Sequence, residues 1–150
     1  MFILMDCLFC DFVSGKKKKN RNGFPFRFLH EMDHTVSFLS IDFPATQDGH
    51  TLVISKKHFS SLEDIPFYIQ KELLGHVSLV GKALKKRHEG YNVLLNNGKS
   101  AGQYVSHTHF HVVPRNKGDQ ISIEDWNRKK MTKKRFLSLQ KELRKTLHSL

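Results

Sequence analysis

The stretch SHTHFHVVPR, residues 106–115, places histidine at every second position: His107, His109 and His111. Side chains alternate between the faces of a β-strand, so these three imidazoles should share one face while Thr108, Phe110 and Val112 occupy the other. Such a row suits metal ligation, nucleophilic catalysis by one ring with the others helping, or a polar face on an edge strand. One ion does not easily reach all three, because residues two apart on a strand lie about 6 to 7 Å apart along a line. A free imidazole, with a pKa of about 6.5, is largely neutral at pH 7 and attacks an electrophile without a separate base. We therefore expect one nucleophilic ring whose neighbours orient it, bind a charged substrate or serve another site.

The preceding loop, NNGKSAGQ (96–103), points to the electrophile. Its two glycines and small residues let backbone N–H groups approach a phosphate closely. A Walker A loop is excluded, since that motif needs glycine five residues before Gly98 and Val93 stands there. A phosphate cradle beside a nucleophile indicates phosphoryl or nucleotidyl transfer. Cys7 and Cys10, spaced C-x-x-C, read as metal ligands or redox thiols rather than a structural disulfide.

The elements that must carry these groups follow from periodicity. HTVSFLSI (34–41) and HTLVIS (50–55) are β-branched runs around the turn-prone DFPATQDG, which predicts neighbouring antiparallel strands. From Leu62 the period becomes helical, with Ile65, Ile69, Leu73, Val77, Val80 and Leu84 on one stripe. Ser61 to Asp64 resembles a capping box at its start, and Gly90 suits a left-handed close. YNVLL (91–95) and SHTHFHVVP (106–114) return to strand character. A final amphipathic helix with Phe136, Leu139, Leu143 and Leu147 begins at Thr132 and occupies 132–148. The pattern is α+β with an antiparallel sheet.

The 150 residues suit a single domain over 1–150, and the formal charge of +11 favours anionic partners. Lys16–Lys19, Lys85–Arg87 and Arg128–Arg135 hold much of that charge; such runs read as solvated surface or mobile loop before a dedicated nucleic-acid patch. Residues 16–24 form an exposed basic loop between Val13 and the apolar run FPFRFL. The start, MFILMDC, has neither a basic leader nor the length of a membrane span, so the expectation is a cytoplasmic protein with no membrane partner. His30, His34, His76, His88 and His148 have no constellation around them and read as surface or satisfied core residues.

The run Gly102-Gln103-x-Val105-x-His107-x-His109-x-His111-Val112-Val113-Pro114-Arg115 resembles the signature of the histidine triad (HIT) family. CLFCDFVSGK (7–16), GHTLVISKKH (49–58) and LLNNGKSAGQ (94–103) are similar to that family's N-terminal segment, strand-and-turn and phosphate loop. The resemblance implies a homodimer with a HIT-like fold, an antiparallel sheet with one long helix and a C-terminal helix. It also implies a hydrolase or transferase cleaving at the α-phosphate of a purine nucleotide conjugate, such as a dinucleoside polyphosphate or nucleoside phosphoramidate. By match to the motif, His109 attacks phosphorus to form a nucleotidyl-histidine, His111 hydrogen-bonds the phosphate and His50 supports the cluster. Gln103 and the backbone of Gly102 and Tyr104 hold the α-phosphate, Asn96 lies beside it, and Asp42 and Phe43 take ribose and base.

For metal, the resemblance implies structural zinc on Cys7, Cys10, His58 and His107, with His50 the competing ligand and no catalytic metal required. Two departures stand out: Tyr104 sits where hydrolytic relatives often carry serine, and Lys16 to Phe28 is longer and more basic than in small members. That segment reads as a lid, a nucleic-acid contact or a disordered loop. Two other functions fit the same motifs: aprataxin-like removal of AMP from adenylated nucleic acid, and a non-catalytic nucleotide- or partner-binding dimer.

Overall fold

The computed structural model describes residues 7–41, 48–123, 125 and 127–150. Among these residues five strands form one sheet: β1 (His30–Glu31), β2 (Thr35–Leu39), β3 (Thr51–Ser55), β4 (Gly90–Leu95) and β5 (His109–Arg115). Their order is β1-β2-β3-β5-β4 and every neighbouring pair is antiparallel. Helix α1 spans Leu8–Val13, α2 Phe67–Leu84 and α3 Lys133–Leu147. The expected α+β architecture, with an antiparallel sheet, one long helix and a C-terminal helix, is what forms.

Both faces of the central strands are covered, which is why TLVIS is buried throughout rather than at alternate positions. Val53 and Val112 face α2 and pack with Ile65, Ile69, Leu73, Val77 and Val80. Leu52, Ile54, Val36 and Phe38 pack on the opposite side with Phe9 and Phe12 of α1 and with Cys7. Each aliphatic side chain buried this way contributes about 1.5–3 kcal/mol. Polar residues of β2 beneath α2 are satisfied by one histidine: His76 Nδ1–H donates to Thr35 Oγ1 at 2.9 Å, and Thr35 donates onward to Glu72 at 2.8 Å. Its Nε2 then accepts from Ser37 Oγ at 3.0 Å, so His76 is the satisfied core residue expected. Gly81 lets α2 approach β4, since a Cβ there would collide with the Tyr91 ring.

Four expectations need correction. The helix starts at Phe67, not near Leu62; Leu62–Asp64 is a separate 3-10 turn without a side-chain cap. Pro66 explains this, because it has no N–H to give and its fixed φ suits the first helical turn. Gly90 is not left-handed; α2 ends through Lys85 in a right-handed conformation and Gly90 opens β4. Strand β5 begins at His109, so His107 lies ahead of the strand and the three rings do not form one row. The Thr108 N–H and hydroxyl both donate to Phe59 O, at 2.7 and 3.0 Å, which draws this segment toward the loop after β3. Residues 16–24 are exposed but hydrogen-bonded, as described below.

Helix α3 begins as expected, with Thr132 Oγ1 accepting from Arg135 N at 3.2 Å. It buries no residue, and Phe136, Leu143 and Leu147 are exposed. Among the described residues no helix is long and apolar enough to cross a membrane.

Candidate active site and metal cluster

Strand β5 lies between β3 and β4, with His109 opposite Ile54 and His111 opposite Leu52, on the face that carries α1. His109 is 5% exposed, and the edge of its ring meets Phe9 with centroids 5.3 Å apart. Its Nδ1–H donates to the His107 carbonyl at 2.7 Å. A carbonyl only accepts, so Nδ1 carries the proton and Nε2 keeps the lone pair. Burial holds His109 below the ordinary imidazole pKa of 6.5, outweighing the opposite pull of the His107 carbonyl. The ring is therefore a neutral imidazole at pH 7 with one nitrogen available for attack.

His111 stands 4.9 Å from His109, centroid to centroid, and its Nδ1 lies 3.0 Å from His50 Nε2. That separation is a ring-to-ring hydrogen bond, one nitrogen donating its N–H to the lone pair of the other. His50, one residue before β3, is thus placed with His111 and not with the cysteines. Downstream, Arg115 clamps the exit of β5 by donating to both oxygens of Asp119, at 2.6 and 3.0 Å. That pairing holds the Asp119 carboxyl well below the usual carboxylate range.

The glycine loop is braced internally. Gly98 and Gly102 have φ of +93° and +86°, conformations that side chains resist. Gly98 N–H donates to Gln103 Oε1 at 2.7 Å, and Gln103 Nε2 donates to Ser60 O at 2.9 Å. Asn96 Nδ2 donates to Gly102 O at 3.4 Å. The side chains of Gln103 and Asn96 therefore shape the loop, and the N–H groups of Ala101, Gly102 and Gln103 donate back to Gly98 O, Lys99 O and Gly98 O, so the phosphate-holding role expected of the Gly102 N–H and the Gln103 side chain is taken up by the loop itself. Tyr104 projects into solvent, 99% exposed. Asp42 and Phe43 lie outside the described residues. Sequence reasoning missed Ser60 and Asn97. Asn97 accepts from Leu62 N at 2.9 Å, pinning the loop to the turn before α2. Neither residue has a spacing that would have marked it.

Cys7, Cys10, His58 and His107 form a second constellation, their donor atoms all within 4.8 Å of one another. Cys7 Sγ lies 3.5 Å from His107 Nδ1, and Cys10 Sγ lies 3.4 Å from His58 Nδ1 and 3.6 Å from His107 Nδ1. His107 Nε2–H donates to Ser55 O at 2.9 Å, which leaves Nδ1 as the lone-pair nitrogen facing the sulfurs. Burial lowers the His107 pKa to about 4, keeping it a neutral donor. Burial, then the neighbouring Cys7, pushes the Cys10 thiol up to about 12; a bound cation would reverse that. These four residues can hold one metal ion.

Fold and site together define a small α+β protein with a histidine cluster beside a glycine loop and a separate Cys/His cluster. The chain belongs to the HIT family: the HIT domain model matches residues 23–118. An adenosine 5'-monophosphoramidase of Schizosaccharomyces pombe is 37% identical over 111 residues, covering 74% of this chain and 75% of that protein. The crystal structure of a histidine triad nucleotide-binding protein from Candida albicans superposes with a TM-score of 0.78, at 31% identity, covering 95% of this chain and 98% of that one. A zinc-bound histidine triad family protein from Mycobacterium smegmatis has a TM-score of 0.60 and 33% identity, covering 83% of this chain and 85% of that one.

Proposed function

We propose that this chain is a nucleotidyl hydrolase or transferase cleaving at the α-phosphate of a purine nucleotide conjugate, with a nucleoside phosphoramidate the first substrate to test. The observation that carries the reading is His109: its Nδ1–H is committed to a carbonyl at 2.7 Å and burial keeps the ring neutral. Nε2 attacks the α-phosphorus, a P–N bond forms and the bond to the leaving group breaks. Water then attacks phosphorus, the P–N bond breaks and the nucleoside monophosphate departs, so two easier displacements replace one harder one. The His50–His111 pair serves the phosphate oxygens, and the backbone N–H of Tyr104, beyond the internally bonded Gly102 and Gln103, stabilises the charge that develops on them. Asp42 and Phe43 remain the residues proposed for ribose and base. The monophosphoramidase relative supports this substrate class.

The Cys7, Cys10, His58 and His107 set is proposed to hold structural zinc. With Zn–S near 2.3 Å and Zn–N near 2.05 Å, a tetrahedral site has S···N edges of about 3.5 Å. The three separations of 3.5, 3.4 and 3.6 Å fit that edge. The zinc-bound relative supports the same choice of metal. We read the whole chain as one HIT domain and as a homodimer, for which β4, an edge strand with Val93 exposed, offers a surface. A cytoplasmic location belongs to the same reading, supported by two free thiols that suit a reducing compartment.

Rapid quenching of a single turnover, with adenosine phosphoramidate labelled at its phosphorus, should leave the label on His109. His109→Ala should lose the label and roughly a thousandfold or more in rate. Unlabelled wild-type protein during an active turnover would sink covalent catalysis.

A further inference from the structure

The basic segment after α1 plays no part in the chemistry above, yet it is built. Lys17 N–H donates to Asp11 O at 3.0 Å, Phe26 N–H to Lys18 O at 2.9 Å and Asn20 N–H to Phe24 O at 2.9 Å. Lys19 and Pro25 form an isolated antiparallel bridge. The Asn20 side chain accepts from Asn22 N and Phe24 N, both at 3.0 Å, and Gly23 takes φ of +79° at the turn. The result is a short hydrogen-bonded hairpin that fixes five exposed cations: Lys17, Lys18, Lys19, Arg21 and Arg27. Lys16 pairs with Asp11 at 3.4 Å, but among the described residues none of those five has an ion pair. Holding like charges together is unfavourable unless an anion neutralises them.

The hairpin also carries aromatic surface. Phe24 is 63% exposed at its tip. A cavity of about 520 Å³ is lined by Phe26 and Phe28, with Phe12 at its base, and by Lys17, Lys18, Lys19 and Arg27. The cavity lies on the same side of the sheet as His109, since Phe12 and Phe26 belong to the cluster that includes Phe9 and Phe38. Cations that track a phosphate chain, beside aromatic faces on which bases stack, are what single-stranded nucleic acid needs. A flexible strand can follow cations into a concave surface, which a flat lipid surface does less well.

We propose that this hairpin and its cavity bind single-stranded nucleic acid, with phosphates on the lysines and bases against the exposed Phe24 and the half-buried Phe26 and Phe28. The site stands whether or not His109 is a nucleophile. Fluorescence anisotropy of the full chain with a labelled polypyrimidine strand, titrated across salt concentrations, tests it. The K17A/K18A/K19A variant should bind about tenfold or more weakly, and its slope of log affinity against log salt should fall by about 2, from three lost phosphate contacts. Phe24→Ala should weaken binding about fivefold or more with the slope unchanged. K133A/K134A/R135A, an equal loss of charge on α3, is the control for non-specific attraction and should leave most of the affinity in place. All these side chains are exposed, so melting curves should match wild type and report intact folding. The proposal is overturned if wild type does not bind at low salt, or if the α3 control loses as much affinity as the hairpin variant. It is equally overturned if phosphatidylserine vesicles are bound through the hairpin lysines while the oligonucleotide is not.

Discussion

Burial acts on His109 in two ways, shielding the ring and pushing its pKa below 6.5, so the neutral form persists to lower pH than in a free imidazole. A nucleophile works only when deprotonated, and the acid limb of kcat/KM for phosphoramidate hydrolysis should therefore fall below pH 6.5. Rate measurements from mildly acidic to neutral pH read this directly; an inflection at or above 6.5 would assign the limb to another group. Alternation alone marked the three histidines as a group, because a histidine repeated every second position has few structural reasons to exist; the choice of His109 as the proposed nucleophile came from the match to the family motif. The division of labour came from the resemblance to the family, which set His107 with Cys7, Cys10 and His58, and not from strand periodicity. His107 turns to the cysteines and His109 and His111 do not, and that depends on Thr108 holding Phe59 O, a long-range contact that strand periodicity cannot contain.

At the scale of elements, the six-residue α1 is too short to persist unaided. It is held by Phe9 and Phe12 in the core and by Cys7 and Cys10, which reach His58 and His107 across the chain. Metal bound at about one hundred times its Kd would stabilise the fold by about 2.7 kcal/mol, or roughly 5–10 °C in melting temperature for a chain of this size. Stripping with a chelator, or Cys10→Ser, should lower the melting temperature by about that much and take the metal content from about one ion per chain to none. Calorimetry paired with elemental analysis checks both; metal loss without a thermal shift would remove the fastening role. Strands β3 and β4 were read to within a residue because β-branched runs end at turn residues, while β5 starts three residues later than the run that suggested it. The start of α2 was misread because a helical stripe continues through Leu62 and Ile65 although Pro66 interrupts the hydrogen bonding, and the two-residue β1 was missed because it has no period to detect.

At the scale of the whole molecule, the net charge of +11 is divided between ordered and unpacked parts of the chain. The hairpin lysines sit on hydrogen-bonded backbone, while α3 carries its cations on a helix that buries nothing. Composition alone could not separate these, since both read as basic runs, and the difference lies in Asn20 and in what each segment packs against. The stripe of Phe136, Leu143 and Leu147 predicted a helix correctly but also implied a core contact that is absent among the described residues. A helix of 15 residues without packing is marginal in water. It cannot then contribute much to the stability of the sheet. Ending the chain after Met131 should leave the melting temperature within about 2 °C of wild type, an amount equal to less than about 1 kcal/mol, while the helical signal in circular dichroism drops. A fall of about 5 °C or more that deepens on dilution would show instead that α3 is covered by a second copy of the chain, because only association makes thermal stability depend on protein concentration.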